Sequence, residues 1–339
     1  MKRPIYIYDP TYKDHLSKFR GIGRYVELLR SCFSKKFNFI DDINEIPKDS
    51  IFINPFFTFF DEPLILEKKF AKQITVIHDI IPLIYKSHFP KGIMGTLNFF
   101  KNKKALSFYD LIITDSQKSK KDIIDILKIN EKNIRVVYPS TLNKFLKIEP
   151  EKPKFISDKL NKFLLYVGDA TWNKNLVNTA YALKENSITC IFAGKVFKSN
   201  LETLTHPWQK ELKKFLEIVK DDERFLFPGF VKNNELIWLY QNAHLNILVS
   251  NDEGFGFSYI EAASQKTPSL LSDIEVFKEI AQDNAFFANA KDFMDIAEKI
   301  KTISADVSLR NIIGEEAYER SKFFSQDTFK MEFEKAIFE

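Results

Sequence analysis

The amino-acid sequence predicts an α/β protein with two doubly wound domains. Short apolar runs rich in β-branched residues alternate with longer segments of helical period along most of the chain, and this alternation is typical of parallel sheets with crossover helices. The length of 339 residues suits two domains better than a single core. A stretch from 139 to 162 has three prolines and little periodicity, which indicates the connection between the domains.

The predicted strands form two series, one on each side of this connection. They cover 5–8, 51–53, 74–78, 111–114 and 134–137, and then 163–168, 189–194, 225–229, 245–250 and 268–272. A helix over 327–338 ends the chain. We therefore expect a Rossmann-like domain over 1–155, a second over 156–322 and a closing helical segment over 323–339.

Composition and charge exclude several classes of protein. Hydrophobic residues make up 45% of the chain and charged residues 28%, as in ordinary globular proteins. Cys32 and Cys190 lie far apart with no patterned His beside them, so neither a disulfide framework nor a zinc site is predicted, and the cytoplasm is the expected compartment. The net charge of +4 is too small to indicate a nucleic-acid partner.

Neither a membrane-spanning segment nor a metal site is expected. The most apolar run, 51–60, contains Asn54 and Pro55 and is shorter than a membrane span. The Asp pairs at 41–42 and 221–222 are typical of solvated turns, and no D-x-D pattern indicates a divalent cation.

One segment of the first half combines basic and aromatic residues. It contains Phe99, Phe100, Lys101, Lys103, Lys104 and Phe108. These residues form either a basic, apolar helix face suited to the inner face of a membrane, or a solvated face over an ordinary core stripe.

The positions of the glycines predict where ligands bind. Only ten glycines occur, whereas an average usage of about 7% would give roughly two dozen. Seven of them stand at a predicted strand end or helix start, namely Gly21, Gly23, Gly168, Gly194, Gly229, Gly254 and Gly256. Ligands of open parallel sheets bind at the carboxyl ends of the strands. The set therefore favours a phosphate-binding cleft, although a tight turn would explain each glycine alone.

The segment DEGFGFSYIEAA, 252–263, follows a predicted strand, opens a helix and contains two glutamates with seven residues between them. Gly254 and Gly256 let backbone N–H groups approach an anion, and the start of the helix adds the positive end of its dipole. Glu261 falls in the first turns of that helix, where a carboxylate can accept hydrogen bonds from the vicinal hydroxyls of a ribose. Glu253 then lies near the group beyond the phosphates.

This segment resembles the E-x7-E motif of the family 4 retaining glycosyltransferases, and the resemblance extends over nearly the whole chain. It implies the GT-B fold, in which two Rossmann-like domains face each other across a deep cleft, and a nucleotide diphosphate sugar as donor, with no other cofactor. It also implies that Glu261 holds the ribose and that Glu253 contacts the donor sugar. The same resemblance places Phe255, Gly256 and Phe257 in the donor site, the first two through backbone N–H groups.

A second matching segment, YVGDATWNKN at 166–175, runs from a strand into a loop. By resemblance, Lys174 binds the pyrophosphate, with Gly168 and Asn173 beside it in the donor site. A preorganised cation there would stabilise the charge of the leaving nucleoside diphosphate; a solvated lysine at a helix start is the alternative. Many family members carry an arginine five residues before this lysine, where the present chain has Asp169.

In the first domain, the segment 21–24 precedes a helical stretch and resembles the N-terminal glycine loop of the family. Gly21 and Gly23 are therefore expected to contact the donor. Arg24 would supply the charge that Asp169 lacks, and a plain surface arginine is the alternative.

His78 ends a predicted strand beside Asp79 and resembles the active-site histidine of the family, which lies near the donor sugar and the acceptor. A lone histidine is more often structural. Ser116 in the segment 114–116, which also resembles the family, is most simply a helix N-cap.

The resemblance implies a retaining transfer of a hexosyl group to a glycan or lipid-linked acceptor, as in surface polysaccharide or lipopolysaccharide synthesis. His78, Lys174 and Glu253 are the expected catalytic residues, and the reaction is expected to be a front-side displacement, because no residue stands out as a covalent nucleophile. The segment 168–175 slightly favours mannose as the sugar. An epimerase or phosphorylase on the same architecture and an inactive nucleotide-sugar binder are the alternatives, and Asp169 favours the binder.

Overall fold

The computed structural model describes residues 3–12 and 21–339. The chain divides into two compact units, one formed by Met1–Ser140 together with Gln326–Glu339 and the other by Thr141–Ser325. The boundary predicted at residue 155 thus lies inside the second unit. The C-terminal helix, predicted as a separate closing segment, belongs to the first unit.

The first unit contains a six-stranded parallel sheet with the order β2-β1-β3-β4-β5-β6. Its strands are β1 (Ile5–Tyr8), β2 (Asn38–Ile40), β3 (Ile51–Asn54), β4 (Lys72–Val76), β5 (Leu111–Thr114) and β6 (Ile134–Val136). The sequence predicted all of them except β2, which has three residues, none of them buried, and so lacks an apolar run. The prediction for β4 was wrong at its end, because the strand stops at Val76 and His78 lies in the loop beyond it.

Helices cover this sheet, and the last of them comes from the end of the chain. They are α1 (Gly21–Phe33), α2 (Ile81–Ile84), α3 (Gly92–Ala105), α4 (Gln117–Leu127) and α13 (Gln326–Phe338). The rings of Phe329 and Phe333 on α13 lie 6.4 and 5.4 Å from the ring of Phe33 on α1, and Lys36 pairs with Glu334 at 2.8 Å. These aromatic contacts attach the C-terminal helix to the first unit.

The second unit contains another six-stranded parallel sheet, with the order β12-β11-β10-β7-β8-β9. Its strands are β7 (Phe163–Val167), β8 (Thr189–Ala193), β9 (Phe225–Gly229), β10 (Leu245–Leu248), β11 (Ser269–Ser272) and β12 (Phe286–Ala288). Its helices are α5 (Asn143–Lys147), α6 (Leu176–Lys184), α7 (Lys210–Val219), α8 (Asn233–Asn242), α9 (Phe257–Ser264), α10 (Glu275–Ala281), α11 (Phe293–Ala305) and α12 (Val307–Ser321). The sequence predicted five of these strands, whereas the three-residue β12 is too short to show a pattern.

A phenylalanine cluster forms part of the core of the second unit. The ring of Phe192 on β8 lies 4.9 Å from that of Phe215 on α7 and 5.9 Å from that of Phe225 on β9. Phe197 and Phe227 complete the cluster at 5.5 and 5.7 Å from Phe192. Such pairs add to the gain from area burial, so the cluster fixes α7 against β8 and β9.

Each sheet has one point at which the direction of the strand order reverses. In the first sheet this switch point lies between β1 and β3, and in the second it lies between β7 and β10. Loops that leave the two central strands in opposite directions open a crevice at their carboxyl ends, where doubly wound proteins bind ligands. The fold therefore points to one candidate site in each unit.

Candidate functional site

The loops after β7 and β10 are joined into one structure at the second switch point. The backbone N–H of Asn251 donates to the carbonyl of Asn173 at 2.7 Å, and Asn173 Nδ2 donates to the carbonyl of Asp252 at 3.0 Å. Asn175 has a left-handed backbone with φ of 56° and donates to the carbonyl of Val249 at 2.9 Å. These bonds hold the two loops in register with each other.

Asn173 has a different position from the one expected of a donor contact. Its side chain is buried and is engaged on both ends, because Nδ2 binds the loop after β10 and Oδ1 accepts from Thr171 Oγ1 at 2.7 Å. In this structure Asn173 positions the loops, and its contact with a donor stays a prediction.

Lys174 and Glu253, which were predicted to bind different parts of the donor, form an ion pair with each other. Lys174 Nζ lies 2.7 and 2.8 Å from the two carboxylate oxygens of Glu253. Ser250 Oγ donates to the same carboxylate at 2.7 Å. The side chains are 19% and 8% exposed, so the pair is largely withdrawn from water and stronger than a surface pair.

The backbone dictates the identity of Gly256 in the donor motif. Its φ is +105°, and a Cβ there would lie 2.8 Å from Phe277 Cε1. It forms the N-cap of α9, so a residue without a side chain brings the chain to the positive end of that helix. Phe255 is buried with its ring 5.5 Å from that of Phe257, and the donor contacts of Phe255, Gly256 and Phe257 stay predictions.

Glu261 lies in the second turn of α9, as the sequence predicted, and is 7% exposed. Tyr240 Oη on α8 donates to Glu261 Oε2 at 3.1 Å. Tyr240 is fully buried and was missed at the sequence level, because nothing in its apolar helical pattern marks it as a partner of a carboxylate. It fixes one oxygen of Glu261.

Two glycines at neighbouring strand ends allow the backbone to pass closely. A Cβ on Gly194 would lie 2.4 Å from the carbonyl oxygen of Gly168, so only glycine fits after β8. Asp169, at the position of the arginine of many family members, is exposed and its carboxylate accepts the N–H of Ala170 at 2.8 Å. Asp169 therefore supplies no cation at the position where many family members have the arginine.

In the first unit, the predicted glycine loop is corrected to the first turn of a helix. Gly21 and Gly23 lie within α1, and the residues directly before Gly21 lie outside the described ones. A Cβ on Gly21 would meet no atom of the described residues within 4 Å. Arg24 Nη1 lies 3.9 Å from Glu27 Oε2, and the donor contacts of Gly21, Gly23 and Arg24 stay predictions.

His78 lies in the loop after β4 with both ring nitrogens close to acceptors. Nδ1 lies 2.7 Å from Asp115 Oδ2, and Nε2 lies 3.3 Å from the carbonyl of Pro55. The neighbouring Asp79 instead accepts the N–H of Ile81 at 3.0 Å. The sequence analysis named Asp79 beside His78 but not Asp115, which stands in the quoted segment 114–116, where Ser116 is the N-cap of α4 as predicted.

The surroundings of His78 favour its protonated form. Burial lowers the pKa of His78, but the charge of Asp115 and the hydrogen bond to it outweigh burial, so the pKa lies above its ordinary value of 6.5. Two acceptors around one imidazole also require both nitrogens to carry protons for both contacts to be hydrogen bonds. The ring of Tyr25 packs edge-on at 4.8 Å and restricts its rotation.

A cavity of about 260 Å³ lies at the switch point of the first sheet. It is lined by Tyr8, Pro10, Ile22, Asn54, Phe56, Phe57, Thr58, Asp61, Glu62, Leu64 and Asn102. Tyr8 and Asn54 end β1 and β3, and the rings of Tyr8 and Phe56 pack edge-to-face at 6.4 Å. An apolar wall with a few polar groups is the usual form of a small-molecule site. No sequence pattern predicts this cavity, because its lining comes from short, separate segments.

The comparison with known proteins assigns the chain to a family. Residues 147–320 match the family described as "Glycosyl transferases group 1". This stretch is slightly more than half of the chain and contains Lys174, Glu253 and Glu261. The chain belongs to this family.

Curated relatives of this group 1 glycosyl transferase include bacterial polysaccharide enzymes. The chain is 27% identical over 236 residues to the O-antigen chain mannosyltransferase RfbU of Salmonella typhimurium, a match that covers 68% of the chain and 60% of that protein. It is 39% identical over 71 residues, 21% of the chain and 9% of the relative, to the serotype-specific mannosyltransferase WbdA of Escherichia coli. CapM, a capsular polysaccharide biosynthesis glycosyltransferase of Staphylococcus aureus, is 24% identical over 307 residues, with 76% and 77% of the two chains covered.

Solved structures confirm the predicted α/β fold of GT-B type. Anabaena HepE in complex with UDP and glucose superposes with a TM-score of 0.72 at 14% identity, over 98% of this chain and 99% of that chain. Sucrose-phosphate synthase from Thermosynechococcus elongatus gives 0.70 at 14% identity, over 98% of both chains. At this identity the likeness concerns the fold.

Metal-binding clusters and membrane-spanning helices are both absent from the described residues of this group 1 glycosyl transferase. No cluster of three or more His, Cys, Asp or Glu side chains suited to a metal ion occurs among the residues that the structure describes. Within the same residues, no helix is long and apolar enough to cross a membrane.

Proposed function

We propose that this protein transfers a hexosyl group, preferably mannose, from a nucleotide diphosphate sugar to a glycan or lipid-linked saccharide in the synthesis of a surface polysaccharide. The observation that carries the proposal is the convergence of Lys174, Glu253 and Glu261 on the start of α9, at the switch point of the second sheet. The names of the RfbU and WbdA relatives support mannose as the sugar and a polysaccharide as the product.

The donor would lie along the start of α9. The diphosphate would take the backbone N–H groups of the Gly256 turn and the charge of Lys174. The ribose hydroxyls would donate to Glu261, whose other carboxylate oxygen is held by Tyr240. The sugar beyond the diphosphate would reach Glu253.

Donor binding would require Lys174 to change its partner. In the structure its charge is neutralised by Glu253, so an arriving diphosphate competes with that carboxylate. Once Lys174 turns to the phosphates, the lone pairs of Glu253 become available to sugar hydroxyls. A single rearrangement would thus prepare both the phosphate contact and the sugar contact.

The chemical step would depend on stabilising the leaving group. Charge grows on the diphosphate as the glycosidic bond breaks, and Lys174 with the loop amides would stabilise it in a site of low water content. Glu253 is held by Ser250 and Lys174 and is better suited to orient the sugar than to attack it. The proposal includes retention by front-side displacement, in which the leaving phosphate takes the proton of the acceptor hydroxyl.

The acceptor would bind the first unit, in the cavity at the switch point of β1 and β3. Its aromatic wall suits the apolar face of a sugar ring, and Asp61 and Glu62 can accept hydrogen bonds from hydroxyls. None of its described lining residues is basic, so a neutral saccharide fits better than an anionic one. The proposed place of action is the cytoplasm, at the inner face of the membrane.

Mass spectrometry of products tests the proposal. The purified protein is incubated with a panel of nucleoside diphosphate sugars, each with and without candidate saccharide acceptors, and we expect a hexosyl-extended acceptor with at least one donor. Conversion of the donor to an isomer without any acceptor would instead indicate an epimerase. Nucleotide binding without turnover in any combination would favour the inactive binder that Asp169 suggests, and would overturn the proposal.

A further inference from the structure

Helix α3 presents an apolar stripe to solvent. Ile93 is 81% exposed, Met94 66%, Leu97 51% and Phe100 63%. Residues three and four positions apart share one face of a helix, so Ile93, Leu97 and Phe100 form a continuous row with Met94 beside it. A surface helix ordinarily has polar residues at these positions.

The opposite face of α3 already packs on the core of the first unit. Gly95, Asn102 and Ala105 are the buried residues of the helix. Asn102 Nδ2 donates to the carbonyls of Asp61 and Asn98 at 2.7 and 3.0 Å. The exposed row is therefore not the face with which α3 packs on the core, because the opposite face makes those contacts.

The stripe lies in a segment with only positive charge. Residues 80–109 contain five lysines and no aspartate or glutamate, whereas 46 acidic residues in 339 would place about four in such a segment. Lys101, Lys103 and Lys104 are exposed on α3 itself, and Lys91 Nζ lies 4.5 Å from the ring of Phe99 near its start. At the sequence level Phe99 and Phe108 were included in this basic and aromatic face, but the structure leaves only Phe100 of the three phenylalanines exposed.

We propose that α3 lies flat in the interface of an anionic bilayer, with Ile93, Met94, Leu97 and Phe100 inserted among the acyl chains. The lysines complement lipid phosphates, because their long stems run along the apolar stripe while their ammonium groups stay at headgroup level. A protein partner is less well matched, since four side chains on one helix are small for a specific interface and the segment offers no carboxylates to pair with a mixed surface.

This inference rests on the proposed function, which supplies the reason for a position at the membrane. Asn102 on the buried face of α3 lines the cavity proposed for the acceptor. A helix bound to a bilayer on its outer face would hold that cavity close to lipid-linked saccharides. The membrane surface thus selects the acceptor by location rather than by contact.

Vesicle flotation tests the proposal with the full chain. Vesicles of phosphatidylglycerol and phosphatidylethanolamine are compared with vesicles of phosphatidylcholine alone, and we expect the wild-type protein to float with the anionic vesicles at least tenfold more than with the neutral ones. Leu97→Asp combined with Phe100→Asp should abolish flotation. The matched control is Val307→Asp with Ile312→Asp, which changes two exposed apolar residues of α12 (59% and 56% exposed) and should leave flotation unchanged.

Three further measurements keep the outcomes distinct. Thermal unfolding of both double variants should match the wild type, and Lys101→Glu with Lys104→Glu should reduce flotation without changing the fold. Turnover on a water-soluble acceptor should be unchanged in the Leu97 and Phe100 variant. Flotation without any turnover would overturn the proposed function but not the membrane-binding role of α3. Turnover without flotation would overturn that membrane-binding role, and so would flotation of the Leu97→Asp, Phe100→Asp variant equal to that of the wild type.

Discussion

Both sheets place a basic side chain and a carboxylate at the carboxyl ends of neighbouring strands, but the two pairs are held differently. In the first unit, His78 and Asp115 follow β4 and β5, and the second nitrogen of the imidazole lies near the carbonyl of Pro55. In the second, Lys174 and Glu253 follow β7 and β10, the two strands of the switch point. The imidazole has an acceptor at each ring nitrogen, whereas the lysine has a long, rotatable stem.

This difference separates a pair that maintains a structure from a pair that can exchange its partner. A histidine with acceptors at both nitrogens gains nothing by moving. A lysine that binds a carboxylate through one flexible ammonium group can give up that carboxylate for a more highly charged diphosphate. We therefore expect removal of the first pair to change stability and removal of the second to change turnover, while the catalytic role of His78 stays a prediction.

The largest expected effect follows from Lys174→Ala. Loss of one preorganised charge donor should lower kcat by about two to three powers of ten and weaken nucleotide binding as well, measured by steady-state kinetics and calorimetry with the donor identified by the product assay. Lys174→Arg is the control, because it keeps the charge and should recover part of the rate. A kcat within threefold of the wild type in Lys174→Ala would contradict the exchange of partners.

The loop that contains Glu253 could be predicted from the sequence because its signals are local. Gly254, Gly256 and the two glutamates stand within one segment of twelve residues that joins a strand to a helix, and the geometry of that junction is the same wherever it occurs. What the sequence did not contain is the contact between Lys174 and Glu253, whose residues are 79 positions apart. Only the strand order places their loops side by side.

Of the first pair, the sequence predicted His78 but not its partner Asp115, for the same reason. His78 carries a recognisable chemistry, but its partner is 37 positions away on the neighbouring strand, while Asp79 beside it in sequence is occupied with α2. The exposed stripe of α3 was also beyond prediction in detail, since an apolar helical pattern does not tell which of two faces the core will cover. The joining of α13 to the first unit likewise depends on packing between distant phenylalanines.

Breaking the first pair should produce the next largest effect, and one that depends on pH. Asp115→Asn leaves His78 without its counter-charge, which should cost about 3 kcal/mol in free energy of unfolding. Because the pKa of His78 is raised in the folded protein, its stabilising contribution is complete below 6.5 and is lost as the pH rises through the folded value.

The difference in free energy of unfolding between the wild type and Asp115→Asn is measured by urea unfolding at several pH values, starting just below 6.5. We expect it to shrink as the pH rises. A difference that is constant or grows with pH would mean that the pair does not hold its charge on His78.

A smaller effect is expected at the ribose end of the second site. Glu261→Gln keeps the shape of the side chain but loses the charge, so the affinity for a free nucleoside diphosphate should fall by about 1–3 kcal/mol. Titration calorimetry measures this directly. Glu275→Gln, at the exposed first turn of α10, is a control that should bind normally, and unchanged affinity in Glu261→Gln would remove Glu261 from the ribose site.

The smallest effect distinguishes the two units through a pair of buried tyrosines. Tyr25 and Tyr240 are both fully buried, yet they differ in the state of their hydroxyl groups. Tyr240 Oη donates to Glu261 at 3.1 Å, whereas Tyr25 Oη has no hydrogen-bond partner among the described residues. A buried hydroxyl without a partner has lost its water and gained nothing in return, so its removal costs little.

We therefore expect Tyr25→Phe to change the free energy of unfolding by less than about 0.5 kcal/mol, because the ring and its edge contact with His78 are retained. Tyr240→Phe should cost about 1–2 kcal/mol, since it leaves an oxygen of Glu261 buried without its donor, and it should also weaken nucleotide binding. Urea unfolding of the two variants side by side gives both numbers under the same conditions. If Tyr25→Phe proved the more costly of the two, the hydroxyl of Tyr25 would have a partner in solution, and the first unit would contain a hydrogen-bonded network around His78 comparable to that around Glu261.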